Sequence, residues 1–236
     1  MIQQRIKRKL YKLTHPVVGE IWMLHRVVEQ RSNAPEQQGL EVTSVYLEKI
    51  ITEYKSRGYS FVSIDNIFNS QFSIFNSRRW VCLTFDDGYR DNYTVAYPML
   101  KRLSVPFTVY VTSGFIDNQL SMWWYPNQQL GMSSDELQLM DADPLCTIGA
   151  HTVSHPKLDI LTREQQYREI AESKQTLEAL LGHEIKHFSF PHGAHNDDTL
   201  AICHELGFRT VVQSWGGPLR CGENPYPLPR INMTTK

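Results

Sequence analysis

Along this chain, short apolar runs alternate with stretches whose apolar residues recur every three or four positions, the signatures of buried strands and amphipathic helices. Val17 to Leu24, VVGEIWML, predicts a first strand ending at His25-Arg26-Val27. After a polar connection from Glu29 to Gly39, Ser44 to Arg57 has apolar residues at Val45, Leu47, Ile50, Ile51 and Tyr54, the pattern of an amphipathic helix, and Gly58 stops it. Phe61 to Ile64 predicts a strand. Trp80 to Phe85 predicts a longer one that breaks off at Asp86-Asp87-Gly88. A helix from about Asn92 to Leu103 and a strand from Pro106 to Val111 come next. Gln119 to Asp143 is less regular and holds Trp123, Trp124 and Tyr125. A short strand around Cys146 to Gly149 leads into His151. The clearest helix opens at Thr162, where Gln165 completes a capping box, and runs to Leu181 before Gly182. A strand His187 to Phe190, a helix Asp197 to Leu206 stopped by Gly207, and strands Arg209 to Gln213 and Leu228 to Asn232 complete the alternation.

Repeated strand-helix units predict an α/β protein with a mainly parallel sheet and helices outside it. With 236 residues and 41% hydrophobic content, residues 1–236 suffice for one domain, and the sheet is long enough to close as a barrel. Active sites of parallel barrels collect on loops at the carboxyl ends of the strands. The polar candidates sit at such ends: His25 after IWML, Asp86 and Asp87 after VCLTF, His151 after CTIGA, and Pro191-His192-Gly193 after HFSF.

In His151-Thr152-Val153-Ser154-His155-Pro156, two imidazoles four apart meet on one face if the segment makes a helical turn, which Pro156 keeps short. Nine histidines also give such a pair by chance, so its meaning comes from the strand-end Asp-Asp-Gly. Two neutral imidazoles and one carboxylate form a facial set of three ligands with room for water, the open site of a catalytic Zn²⁺ or similar ion. Adjacent residues of an extended chain point in opposite directions. Asp86 and Asp87 are therefore expected to divide the work, one binding a cation and the other handling a proton.

The 24 basic and 25 acidic residues nearly cancel, which disfavours nucleic-acid binding through a broad positive field. The amino terminus is the local exception. Met1 to Lys12 carries five basic and no acidic residues, with Ile2, Ile6, Leu10 and Leu13 at helical spacing. Residues 1–14 are thus expected to form a basic amphipathic segment, either solvated or lying on an anionic membrane surface. No apolar run of signal-peptide or membrane-spanning length follows, and Cys82, Cys146, Cys203 and Cys221 contain no CxxC pair. Both observations lead to an expected cytoplasmic location with reduced thiols, peripheral at most to the inner face of the membrane.

Thr84-Phe85-Asp86-Asp87-Gly88 and His151-Thr152-x-x-His155 resemble the first two motifs of the polysaccharide deacetylases, the NodB-homology or carbohydrate esterase family 4 domain. The resemblance covers most of the chain. It implies a distorted (β/α) barrel of about seven parallel strands and metal-dependent removal of acetyl groups from N-acetylated sugars. It implies Asp86 as general base and Asp87, His151 and His155 as ligands of one divalent ion, Zn²⁺ first, with Co²⁺ or Ni²⁺ as alternatives. Phe188 to Gly193 is similar to the third motif, which makes the His192 backbone N–H the oxyanion donor.

Two departures stand out. The third motif commonly has an arginine where this chain has Ser189, so the usual partner of the catalytic aspartate is missing there; Arg230 is the candidate substitute. The family's carboxy-terminal Leu-x-His, source of the general acid, is absent from its usual place. Met23-Leu24-His25 resembles that motif moved to the front, as in the circularly permuted members, and makes His25 the expected acid. A closed ring permits this, because its first and last strands are neighbours. Trp123, Trp124 and Tyr125 fit a sugar-stacking wall and a plug for the barrel side equally well, and Pro191 is a further substrate-binding candidate. The expected substrate is an N-acetylated saccharide or glycan-biosynthesis intermediate. The alternatives are a deformylase or other amidase acting on an acylamino sugar, free or lipid-linked, and a noncatalytic carbohydrate-binding relative. Nothing in the sequence sets the oligomeric state.

Overall fold

The computed structural model describes residues 14–67, 79–126 and 128–234. In chain order the strands are β1 (Val17–Leu24), β2 (Arg26–Val28), β3 (Glu41–Thr43), β4 (Ser60–Val62), β5 (Trp80–Phe85), β6 (Phe107–Val111), β7 (Cys146–Ala150), β8 (His187–Ser189), β9 (Thr210–Gly216), β10 (Leu219–Arg220) and β11 (Leu228–Asn232). The principal helices are α1 (Ser44–Ser56), α2 (Tyr97–Arg102), α3 (Ser134–Asp141), α4 (Arg163–Leu181) and α5 (Asp197–Glu205). Seven strands close a parallel ring, β1-β5-β6-β7-β8-β9-β11 and back to β1. This is the expected (β/α) barrel. β4 lies along the first half of β5, and β10 runs antiparallel to the start of β1.

Alternation along the strands sorts side chains into two layers. On β5, Val81, Leu83 and Phe85 face outward into the large core beneath the helices, while Trp80 and Cys82 join the smaller cluster inside the ring with Ile21, Tyr110, Val212 and Leu228. Thr84 continues the inward row, and its hydroxyl donates to the Trp22 carbonyl at 2.7 Å. The row therefore delivers Asp86 to the mouth from inside the barrel. Gly149 on β7 has a steric reason: a Cβ there would lie 2.5 Å from the Tyr110 ring.

Several expectations are corrected in detail. The polar connection Glu29 to Gly39 is flanked by two short strands the sequence did not announce, β2 and β3, paired in parallel as a small separate sheet. The strand expected over Phe61 to Ile64 ends at Val62, and Ile64 opens a 3₁₀ turn. Within the less regular stretch Gln119 to Asp143, Ser133 and Glu136 form a capping box that starts α3. Gly182 ends α4 with φ of 75°, as the capping logic requires. The basic segment 1–14 falls, apart from Thr14, outside the described residues. Among the described residues no helix is long and apolar enough to cross a membrane. All four cysteines are free thiols.

Candidate active site

Asp86 and Asp87 leave β5 in opposite ways. Asp86 follows the inward row and is buried against Arg230, which reaches across from β11. The guanidinium donates to both carboxylate oxygens, at 2.7 and 2.6 Å, and its other bonds go to Ser189 Oγ at 2.9 Å, Thr84 Oγ1 at 3.2 Å and the Gln213 carbonyl at 2.9 Å. Burial opposes ionisation of Asp86, but the adjoining guanidinium outweighs it and the carboxyl is held below its ordinary range. An arginine from another strand thus stands against Asp86, with Ser189 as its hydrogen-bonding neighbour.

A regular strand would send Asp87 outward. Instead its φ is 75°, a left-handed conformation uncommon for a residue with a side chain, which turns it into the mouth. There Asp87 Oδ1 lies 3.4 Å from His151 Nε2 and 3.2 Å from His155 Nε2, with no hydrogen-bond donor of its own. His151 Nδ1 is 2.7 Å from the Ser189 carbonyl, which fixes it as the N–H and leaves Nε2 as a lone pair. One carboxylate oxygen without a donor and two imidazole nitrogens, all within 4.8 Å of one another, are the donor set a divalent cation needs. The residues present thus fit the expected ion.

The imidazoles do not meet through a helical turn. Thr152 and His155 have φ of 68° and 62°, and the left-handed pair folds the segment back so that the rings stand 5.0 Å apart. Thr152 Oγ1 accepts from the His155 N–H at 3.0 Å. Spacing alone found the pair; the backbone route was invisible to it.

His25 follows β1 at the same mouth. Its carbonyl accepts from the buried Asn92 side chain at 2.7 Å, and its Nδ1 is buried without a protein partner. Burial lowers the His25 pKa, against the pull of Asp87 and Asp86. Across the opening, His192 has φ of 57° and its ring sits 4.6 Å from that of His155. Burial and the neighbouring imidazoles lower its pKa to about 4.

These side chains share one cavity of about 550 Å³, lined by His25, Asp86, Asp87, His151, His155 and His192 together with Trp123, Trp124 and Ser214. Trp123 is exposed at the rim, while Trp124 packs on the His155 ring at 4.8 Å and donates to Tyr89 at 2.6 Å. Two of the candidate substrate contacts lie off the cavity, Tyr125 in the manner of a plug. Tyr125 is fully buried, bonded to Glu41 at 3.1 Å beneath Arg26, because its phenol completes a side cluster with Tyr89, Phe115 and Met122. Pro191 is buried at the start of its turn and does not reach the cavity wall. Glu36, Gly39 and Leu40, which also line the cavity, come from the connection after β2. No motif marked them. His183 and His187 lie away from this mouth, against Asp141 and Asp65. His195 bonds the Gly193 carbonyl at 2.8 Å.

A family model described as polysaccharide deacetylase matches residues 75–211. The protein YxkH of Bacillus subtilis (strain 168), named for a polysaccharide deacetylase, is 28% identical over 158 residues, which are 67% of this chain and 53% of that protein. The chain thus spans about half the length of that relative. The poly-β-1,6-N-acetyl-D-glucosamine N-deacetylase of Staphylococcus aureus is 23% identical over 208 residues, 85% of this chain and 70% of that one. Among solved structures, the Streptococcus pyogenes deacetylase PplD superposes with a TM-score of 0.75 at 25% identity, covering 91% of each chain. IcaB from Ammonifex degensii gives a TM-score of 0.77 at 23% identity over 91% of each chain, a likeness of fold.

Proposed function

This chain belongs to the polysaccharide deacetylase family, and from that premise we propose that it is a metal-dependent hydrolase that removes N-acetyl groups from an amino sugar within a saccharide. The observation that carries the reading is the donor-free Asp87 Oδ1 facing the Nε2 atoms of His151 and His155, with Asp86 and His25 on the same cavity. Asp87, His151 and His155 would hold the ion. A divalent cation bound there would polarise the amide carbonyl and lower the pKa of water toward neutrality.

The protein's own residues supply the rest. Asp86, kept ionised by Arg230, accepts the proton of the attacking water. The His192 backbone N–H donates to the developing oxyanion, a contact worth about 3–4 kcal/mol in comparable sites. His25 gives a proton to the departing amine, which leaves poorly as an anion. Its place at the end of the amino-terminal strand is what the permuted reading of the Leu-His motif requires.

No lysine or arginine lines the cavity among the described residues, so an uncharged acylamino sugar suits it better than a phosphate-bearing one. The likeness to the S. aureus enzyme supports a glucosamine polymer as the substrate class. The test is release of acetate from N-acetylglucosamine oligomers by the full chain, with and without a chelator and with zinc restored. Acetate that appears only in the metal-replete protein supports the proposal. Formate in place of acetate, or sugar binding with no acid released, refutes it.

A further inference from the structure

Between the two imidazoles the chain passes through Val153 and Ser154, and the polar groups of this bridge are held from both sides. Glu169 on α4 accepts from the Val153 N–H and the Ser154 N–H with one carboxylate oxygen, each at 2.9 Å, and from Ser154 Oγ with the other at 2.7 Å. From the opposite side, Ser113 N–H and Gly114 N–H donate to the carbonyls of Thr152 and Val153 at 3.0 and 2.9 Å. The Gly114 contact leaves no space: a Cβ there would stand 2.5 Å from the Val153 oxygen.

We propose that Glu169 is a positioning residue for the metal centre, acting on His155 and not on His151. This rests on the reading of Asp87, His151 and His155 as ligands. Thr152 and His155 are left-handed without being glycine, a conformation that persists only when the surroundings enforce it. A carboxylate spanning two consecutive N–H groups and the hydroxyl between the left-handed residues enforces it. Released from that grip, the bridge relaxes toward ordinary backbone angles, and His155 Nε2 leaves its place 3.2 Å from Asp87 Oδ1. His151 has separate support, since it directly follows β7 and its Nδ1 is tied to the Ser189 carbonyl. The dependence is therefore one-sided: Glu169 governs one ligand of three.

Zinc titration of the full chain against a chromophoric chelator tests this. Glu169→Gln keeps the size but turns donors toward donors, and it should weaken zinc binding about 10- to 100-fold, the range for residues that orient a ligand. In Glu169→Gln/His155→Ala the affinity should equal that of His155→Ala, because the ligand Glu169 serves is already gone. A folded Glu169→Gln protein with wild-type affinity overturns the proposal, as does a double variant weakened by the product of the two single effects. Should Glu169→Gln not fold, Ser154→Ala removes one of the three bonds and should weaken zinc roughly two- to tenfold; unchanged affinity there overturns the proposal equally. Wild-type protein that takes up no zinc defeats the ligand assignment itself, a result separable from any difference among the variants.

Discussion

Arg230→Met cuts a fully buried ion pair while keeping an unbranched, apolar side chain in the barrel. Solvent screening offers no discount, since the side chains of Arg230 and Asp86 are 0% and 3% exposed. Removing one partner of such a pair strands the other charge, at a cost of about 3–5 kcal/mol. For a chain of this length each kcal/mol moves the midpoint about 2–4 °C, so thermal unfolding should fall by roughly 6–20 °C. Without the guanidinium, burial is the largest remaining influence on Asp86 and pushes its pKa up. The carboxylate then loses the group that orients it and favours its ionised form, and deacetylation should drop by about two orders of magnitude or more, the value of a positioned base. Calorimetry gives the midpoint, and infrared difference spectra give the protonation state. The double variant Arg230→Met/Asp86→Asn should regain part of the lost stability, because the stranded charge is gone. An Arg230→Met protein as stable as wild type, or a double variant less stable than Arg230→Met alone, refutes this account.

The same pair sets a pH dependence. The folded pKa of Asp86 is depressed, so its stabilising contribution is present above the unfolded value of about 3.9 and is lost as pH falls through the lower folded value. The stability gap between wild type and Asp86→Asn, measured by urea unfolding, should be largest near neutrality and shrink in acid; a constant gap contradicts the shift. Asp87→Ala and His155→Ala should lose metal and activity together by elemental analysis and acetate assay, whereas Asp86→Asn should keep metal and lose turnover. Metal-replete Asp86→Asn with full activity removes that residue from the base role. His25→Ala should lose amide hydrolysis about 10²- to 10⁴-fold while largely keeping hydrolysis of an activated aryl ester, whose leaving group needs no proton; equal losses on both substrates argue against an acid at His25.

What the sequence made visible was periodic or local. VCLTF followed by two carboxylates reads directly as a buried strand ending in chemistry, and Thr162 with Gln165 announces α4 because both capping bonds close within four residues. The same device at Ser133 and Glu136 is equally local but lies in a stretch, Gln119 to Asp143, whose apolar residues keep no sustained period, so it draws no helix boundary by itself. Other features have no local signature. The left-handed backbone at Thr152 and His155 lies among distant partners such as Ser113, Gly114 and Glu169, and nothing in His-Thr-Val-Ser-His distinguishes it from a helical turn. Tyr125 looks like a rim aromatic in a Trp-Trp-Tyr run, yet Glu41 and Arg26, more than 80 residues earlier, draw it inward.

Arg230 and His25 illustrate a different limit, one that ring closure explains. β1 is hydrogen-bonded to both β5 and β11, so the strand that precedes His25 and the strand that carries Arg230 flank Asp86 although they lie at opposite ends of the chain. Asp86 N–H donates to the Leu24 carbonyl at 2.9 Å, which fixes the distance between the aspartate and the residue next to it in the first strand. Arg230 reaches Asp86 only when β11 is docked between β9 and β1. The seam that closes the barrel therefore also brings in the charge that keeps Asp86 ionised. Loosening that seam should raise the aspartate pKa before it unfolds the helices, since Arg230 leaves with β11 while the outer core under α4 and α5 stays packed.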